Sequence, residues 1–267
     1  MNNQPIGILD SGVGGLTVTQ TLLRELSNES FIYVADMKGY PYGDKTLEEA
    51  QTFILKATDF LYDQGVKMIV FACNTATAAA IEVAKRRYPI PVIGVIEPTA
   101  RLASRTTTNN QILLLATEST VKSNYYAQEI NRINPDIRVI SKGCSTFAPF
   151  IESGGYHDRV ESLLTIDNEI NGYKDTPADT IILGCTHYPM LRETLEEYFN
   201  HSKTFVDSSN ETLKDIQFIL SHEDLYNDSM NVTARLHVYL TAESKTFESI
   251  LNEWLPNEKY SLNVIEL

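Results

Sequence analysis

The chain has 267 residues, 43% of them hydrophobic, and a formal net charge of −13. That length accommodates one large domain or two smaller ones, and the ordinary balance of apolar, glycine and proline residues argues against disorder or a fibrous repeat. The charge argues against nucleic-acid binding by phosphate neutralisation: the densest basic run, Lys85, Arg86 and Arg87, falls at an expected helix end where the dipole favours cations.

No apolar run reaches the length of a membrane-spanning helix, and "MNNQPIGILDSG" at the N-terminus has no signal-peptide pattern. The expectation is a cytoplasmic protein with neither membrane nor nucleic-acid partners. Three scattered cysteines, Cys73, Cys144 and Cys185, fit a reducing compartment rather than a disulfide framework.

In chain order, aliphatic runs predict strands at 6–9, 31–35, 68–72, 91–96, 112–116, 137–141, 180–184 and 203–207. Between them, "GLTVTQTLLREL", "TLEEAQTFILKATDFLYDQG" and "NTATAAAIEVAKRR" place apolar residues three or four apart, the helical period. Continuously apolar strands alternating with helices predict an α/β fold with mostly parallel sheets covered on both faces.

The two halves echo each other. "IGILDSG" and "QILLLATES" each run a strand into a polar turn, and later "MIVFACNT" and "IILGCTHY" each run one into a cysteine. The pattern predicts two pseudo-symmetric lobes with a site in the cleft between them, because ligands sit beyond the carboxyl ends of parallel strands. Residues 1–97 with 208–267 form the expected first lobe and 98–207 the second. The crossings are placed near the proline and polar run of "IEPTARLASRTTTNN" and near "DSSNETLK". "HEDLYNDSMN", at 222–231, reads as a helix end and loop.

Cys73 and Cys185 carry the chemical reading. A single free cysteine is usually a small core hydrophobe, but two at matching strand ends suggest a shared task. Each, if followed by a helix, sits at a helix N-terminus, where N–H groups and the dipole favour a thiolate. Asn74, Thr75, Thr186 and His187 supply donors beside them. Asp10 could adjust the first thiol or cap the helix near Gly14, and His187 could adjust the second or be a satisfied core histidine.

"DSGVGG" lacks the patterns of nucleotide loops, and its glycines suit close backbone approach to a small ligand; Pro41, Tyr42 and Gly43 in "YPYGD" could do the same or form a plain turn. Two thiols on opposite faces of a chiral carbon could remove a proton from one side and return one from the other, with no cofactor required. A Cys–His hydrolase would leave the second cysteine without a role, a zinc site lacks paired C-x-x-C spacing, and a redox pair needs closer sulfurs.

At this point "DSGVGGL", "YPYGD", "CNTATA", "GVIEP", "ATESTVKS" and "LGCTHYP", in this order from about residue 6 to 208, resemble the glutamate racemases of the aspartate/glutamate racemase family. The resemblance implies a cofactor-independent, metal-free enzyme, expected as a homodimer, that interconverts L- and D-glutamate for peptidoglycan. It implies Cys73 and Cys185 as the acid/base pair, assisted by Asp10, His187 and Glu152, although Glu152 could equally be an exposed helix carboxylate. It implies substrate contacts from Asp10, Ser11, Tyr42, Gly43, Asn74, Thr75, Thr120, Thr186 and His187. Ser145 stands where the family usually has Pro, and Met190 where it usually has Leu; both are expected to touch packing rather than the bases. The last sixty or so residues carry no usable motif.

Overall fold

The computed structural model of the protein describes residues 3–227 and 236–267. Strand β1 (Ile6–Asp10) is followed by α1 (Leu16–Glu25), β2 (Phe31–Ala35), α2 (Leu47–Asp63), β3 (Met68–Phe71), α3 (Asn74–Arg87), β4 (Val92–Gly94) and α4 (Ile96–Thr106). The chain continues through β5 (Gln111–Ala116), α5 (Glu118–Ser123), α6 (Tyr125–Ile133), β6 (Arg138–Gly143), α7 (Phe147–Glu152), α8 (Arg159–Ile170), β7 (Thr180–Gly184), α9 (Arg192–Tyr198) and β8 (Thr204–Val206). It closes with α10 (Ser209–His222), β9 (Leu236–Leu240), α11 (Lys245–Trp254) and β10 (Tyr260–Val264).

Two sheets result, ordered β10-β9-β2-β1-β3-β4 and β6-β5-β7-β8, with every pairing parallel. Without β9 and β10 the first sheet has the second's order: second, first, third, fourth. That shared order is the pseudo-symmetry expected from the repeated strand endings. The central strands are buried along their whole length because helices cover both faces. Alternate residues divide between two cores in the first sheet, Ile8, Tyr33 and Val70 on one side and Leu9, Val34 and Phe71 on the other. The former core continues into Leu113, Leu115, Ile181 and Leu183 of the second sheet.

Local signals account for the helix starts. Thr46 Oγ1 accepts from the Glu49 N–H at 3.2 Å while the Glu49 carboxylate accepts from the Thr46 N–H at 3.0 Å, a reciprocal cap on α2. Lys85, Arg86 and Arg87 occupy the last turn of α3, where the basic run was expected. Among the described residues no helix is long and apolar enough to cross a membrane.

Two expectations need correction. "IEPTARLASRTTTNN" does not interrupt the pattern: it is helical through Thr106, with Pro98 in the first turn, where no intrahelical donor is lost. There Ile96, Ala100 and Ala103 pack against Ile112, Leu114, Ile182 and Val206 of the second sheet. Strands β9 and β10 were not expected, because "LHVYL" alternates buried and half-buried residues and "YSLNV" is a partly exposed edge. Of the stretch 222–231, α10 ends at His222, and 228–231 lie outside the described residues.

The segment leaving α10 is anchored by a buried ion pair. Lys67 Nζ lies 2.6 Å from Glu29 Oε2 and donates to the Leu225 carbonyl at 2.7 Å, while the Asn227 N–H donates to Glu29 Oε1 at 2.9 Å. Lys67→Met leaves a carboxylate uncompensated in the interior and should destabilise the protein by about 3–5 kcal/mol, read as a lower urea midpoint. An unchanged midpoint would show that the pair is dispensable.

Candidate active site

Parallel strands place their carboxyl ends on one edge of each sheet, and the two edges meet in one cleft. Asp10 ends β1; two residues beyond β3 stands Cys73, and one residue beyond β7 stands Cys185. Both sulfur-bearing residues line this cleft, which holds about 590 Å³ of empty space counted to its open mouth. Each is nearly buried, Cys73 at 7% exposed and Cys185 at 8%. The third cysteine, Cys144, given no role by the sequence, lines the same cleft.

The surroundings of the two thiols differ. Cys73 is the N-cap of α3, its Sγ accepting from the Ala76 N–H at 3.4 Å. Cys185 has no such helix: a 3-10 turn begins at Tyr188, and α9 later still. The expectation that both thiols sit at helix N-termini therefore holds for Cys73 alone. At Cys73 the direction of the shift is opposite to that expected of a helix N-terminus. Burial and the neighbouring Asp10 carboxylate push its thiol well up, and the opposing Ala76 N–H and Ser11 hydroxyl do not outweigh them.

Asp10 is buried, and burial raises its carboxyl from the ordinary 3.8 to about 6, against the charge of His187 and the N–H groups of Gly12 and Gly15. Its Oδ1 accepts from the Gly12 N–H at 2.8 Å and its Oδ2 from the Thr186 hydroxyl at 3.3 Å. It does not cap α1; the N-cap is Gly15, without a side-chain bond. His187 Nδ1 is 3.6 Å from Cys185 Sγ and its Nε2 is 2.9 Å from Glu152 Oε1. Burial works against the imidazolium, yet hydrogen bonds to Cys185 and Glu152 and their charges outweigh it, holding His187 well above its ordinary range. His187 is thus able to hold or move a proton at the Cys185 sulfur, and Glu152 is no exposed carboxylate.

Of the expected contact residues, Ser11, Tyr42, Gly43, Asn74, Thr75 and Thr186 line the cleft. The Tyr126 hydroxyl donates to Asn74 Oδ1 at 2.7 Å, and the buried Asn74 Nδ2 has no partner among the described residues, which leaves a donor for a ligand. Tyr42 turns its hydroxyl away from the cleft, to Asp36 Oδ2 at 2.7 Å. Thr120 is fully buried and lies behind the wall, its hydroxyl 3.2 Å from that of Thr75 and 2.9 Å from that of Thr117. Thr117, which bonds Thr75 at 2.9 Å, was missed, although the internal repeat could have found it: Thr117 follows β5 as Ser11 follows β1. Tyr40 and Ser145 also line the cleft, so Ser145 is a wall residue rather than remote packing.

The glycine loop also packs closely against side chains around the cleft. A Cβ at Gly14 would collide with the His187 ring and come within 2.6 Å of Thr186 Oγ1; one at Gly12 would approach Tyr40 and Glu152. At Gly14 the thin backbone admits His187 and Thr186 of the opposite lobe, and at Gly12 it admits Tyr40 and Glu152. Thr17 reinforces the contact by donating to the Thr186 carbonyl at 3.0 Å.

Residues 6–215 match the family described as Asp/Glu/Hydantoin racemase. This chain belongs to that family. Among its relatives, a glutamate racemase of Staphylococcus carnosus (strain TM300) is 41% identical over 253 residues, covering 95% of each chain. One of Carnobacterium sp. (strain St2) is 40% identical over 268 residues, 100% of each. Among solved structures, a glutamate racemase isoform from Bacillus anthracis superposes with a TM-score of 0.94 at 33% identity, covering 100% of this chain and 99% of that one. The glutamate racemase of Francisella tularensis subsp. tularensis SCHU S4, solved in complex with D-glutamate, gives 0.92 at 32% identity, covering 100% and 98%. The two-sheet α/β architecture of this racemase-family chain is that of these structures.

The raised Asp10 carboxyl has a consequence for stability. Between pH 3.8 and about 6 the folded protein keeps a proton at Asp10 that the unfolded chain has released, so its contribution to stability falls as pH rises through that window. The loss is on the order of 3 kcal/mol. Thermal melts from pH 4 to pH 6.5 should show a shallower decline for Asp10→Asn than for the wild type, and an equal decline removes Asp10 as its source.

Proposed function

We propose that this chain is a cofactor-independent glutamate racemase that interconverts L- and D-glutamate and supplies D-glutamate for peptidoglycan. The observation that carries the reading is the presence of Cys73 and Cys185, each beyond the third strand of its own sheet, on the walls of one cleft. Full-length relatives of about 40% identity named glutamate racemase support it, as does the D-glutamate bound in the Francisella structure. Likeness to a Picrophilus torridus aspartate racemase, at 20% identity, speaks to the fold alone.

In the proposed reaction the substrate α-carbon lies between the sulfurs. One cysteine, as thiolate, takes the α-proton; the other, as thiol, gives its proton to the opposite face, so the centre inverts and the two sulfurs exchange protonation states. Asp10 adjusts the proton at Cys73, and His187, oriented by Glu152, does so at Cys185. The free Asn74 Nδ2 and the first N–H groups of α3 bind the substrate carboxylate, where negative charge spreads in the transition state. Ser11, Tyr42, Gly43, Thr75 and Thr186 complete the binding wall, with Thr120 supporting it from behind. The reading further assigns the chain to the cytoplasm as a homodimer, with lobes of residues 1–97 plus 208–267 and 98–207.

The test uses L-glutamate and L-aspartate separately, without added cofactor, followed by circular dichroism in deuterated buffer. Loss of the L-glutamate signal with deuterium entering Cα is expected. Loss confined to L-aspartate points to aspartate racemase, and ligand-induced stabilisation without exchange points to an amino-acid-binding protein. Cys73→Ser and Cys185→Ser should each lower turnover by roughly 10²–10⁴-fold, the usual worth of a positioned acid or base. Near wild-type turnover in either variant removes that cysteine from the mechanism.

A further inference from the structure

Among the described residues, the C-terminal segment contributes none to the cleft wall, yet one of its hydroxyls is tied to that wall. Asp36, immediately beyond β2, is 3% exposed, and its carboxylate gathers three donors: the Tyr42 hydroxyl at 2.7 Å, the Thr241 hydroxyl at 2.8 Å and the Gly39 N–H at 3.3 Å. Thr241, immediately beyond β9, is 1% exposed. Its N–H donates to the Ala35 carbonyl at 3.1 Å, and its hydroxyl also accepts from the Lys38 N–H at 2.9 Å.

These bonds fix the loop from Asp36 to Lys45. The N–H groups of Gly39 and Tyr40 donate to the Asp36 carbonyl at 3.1 and 3.0 Å, while Ser119, from the opposite lobe, donates to the Gly43 carbonyl at 2.8 Å. Between those anchors Tyr40, Pro41, Tyr42 and Gly43 form one side of the cleft. The loop has little regular structure beyond a 3-10 turn at Tyr42–Asp44. A buried carboxylate accepting three donors is therefore the device that selects its conformation.

We propose that Thr241 and Asp36 are positioning residues for substrate binding, coupling strand β9 to the cleft wall through Thr241–Asp36–Tyr42. The proposal rests on the racemase reading above. Neither residue reaches the cleft, and the proposed acid/base groups stand on other elements, so the effect falls on substrate binding more than on proton transfer. Thr241→Val keeps the shape of the side chain but removes the donor to Asp36 and the acceptor for Lys38.

The experiment measures KM and kcat for L-glutamate, with thermal melts, for wild type, Thr241→Val and Thr241→Ser. Thr241→Val should raise KM roughly five- to tenfold, the scale of the lost bond to Asp36, with kcat within about twofold. Thr241→Ser, which restores the hydroxyl, should return KM toward wild type even if its midpoint stays lower. A folded Thr241→Val with wild-type KM overturns the proposal, as does a raised KM that Thr241→Ser does not reverse. Should Thr241→Val fail to fold, Asp36→Asn, which keeps the side chain's size but weakens its hold on the Thr241 and Tyr42 hydroxyls, carries the same expectation, and a wild-type KM in that variant overturns the proposal. Absence of racemisation in the wild type instead defeats the underlying reading.

Discussion

A parallel sheet ends its strands on one edge, and in this protein two such edges are pressed together through a contact that leaves no room for a Cβ at Gly14. His187 and Thr186 occupy the space that side chain would take. Because the loop after β1 is backbone-thin there, the turn after β7 can bring its imidazole and hydroxyl against the loop carrying Asp10. The bond from Thr186 to Asp10 and the bond from Thr17 to the Thr186 carbonyl follow from the same approach. The cleft is a product of this closeness: its walls come from both lobes, and neither sheet alone encloses it.

Shared topology does not produce equivalent chemistry. By register, β1 and β3 end as β5 and β7 do, which sets Asp10 opposite Ala116 in the pseudo-symmetry and Thr75 opposite His187. One cysteine is therefore accompanied by a carboxylate, the other by an imidazole. Burial and Asp10 push the Cys73 thiol up, whereas the His187 ring, held well above its ordinary range, lies against the Cys185 sulfur. In the proposed reaction the two sulfurs would therefore work beside different partners, a carboxylate on one face and an imidazole on the other.

The strands carrying the site were legible because each is a short aliphatic run with an abrupt polar ending, as "MIVFACNT" shows, and complete burial erases the alternation that would confuse them with surface strands. β9 was not legible for the opposite reason: His237 and Tyr239 on its half-buried face dilute the apolar signal, and its place beside β2 depends on pairing across two hundred residues. Cys73, Cys185, Asp10 and His187 could be named from strand endings. Their protonation could not, since it depends on how much water the opposite lobe displaces. Tyr40 was missed because packing, rather than any local pattern, turns it into the cleft, whereas Thr117 was legible in the repeated strand ending and went unread. Thr120 was named for its motif, but its helix directs it inward.

The remaining physical problem is how a chain of net charge −13 accommodates an acidic substrate. No Lys or Arg is among the described residues lining the cleft, and Asp10, Asp44 and Glu118 add carboxylates there. The compensating donors are dispersed and mostly neutral: the unpartnered Asn74 amide, the hydroxyls of Ser11, Thr75 and Thr186, and the initial N–H groups of α3, with His187 the cationic exception. In the proposed reaction, neutral donors would let the site take an anion without a fixed Lys or Arg beside Cys73. The burial that pushes the Cys73 thiol up would also strengthen those dipoles, so the proposed binding and the proposed proton transfer both lean on the exclusion of water by the two apposed sheet edges.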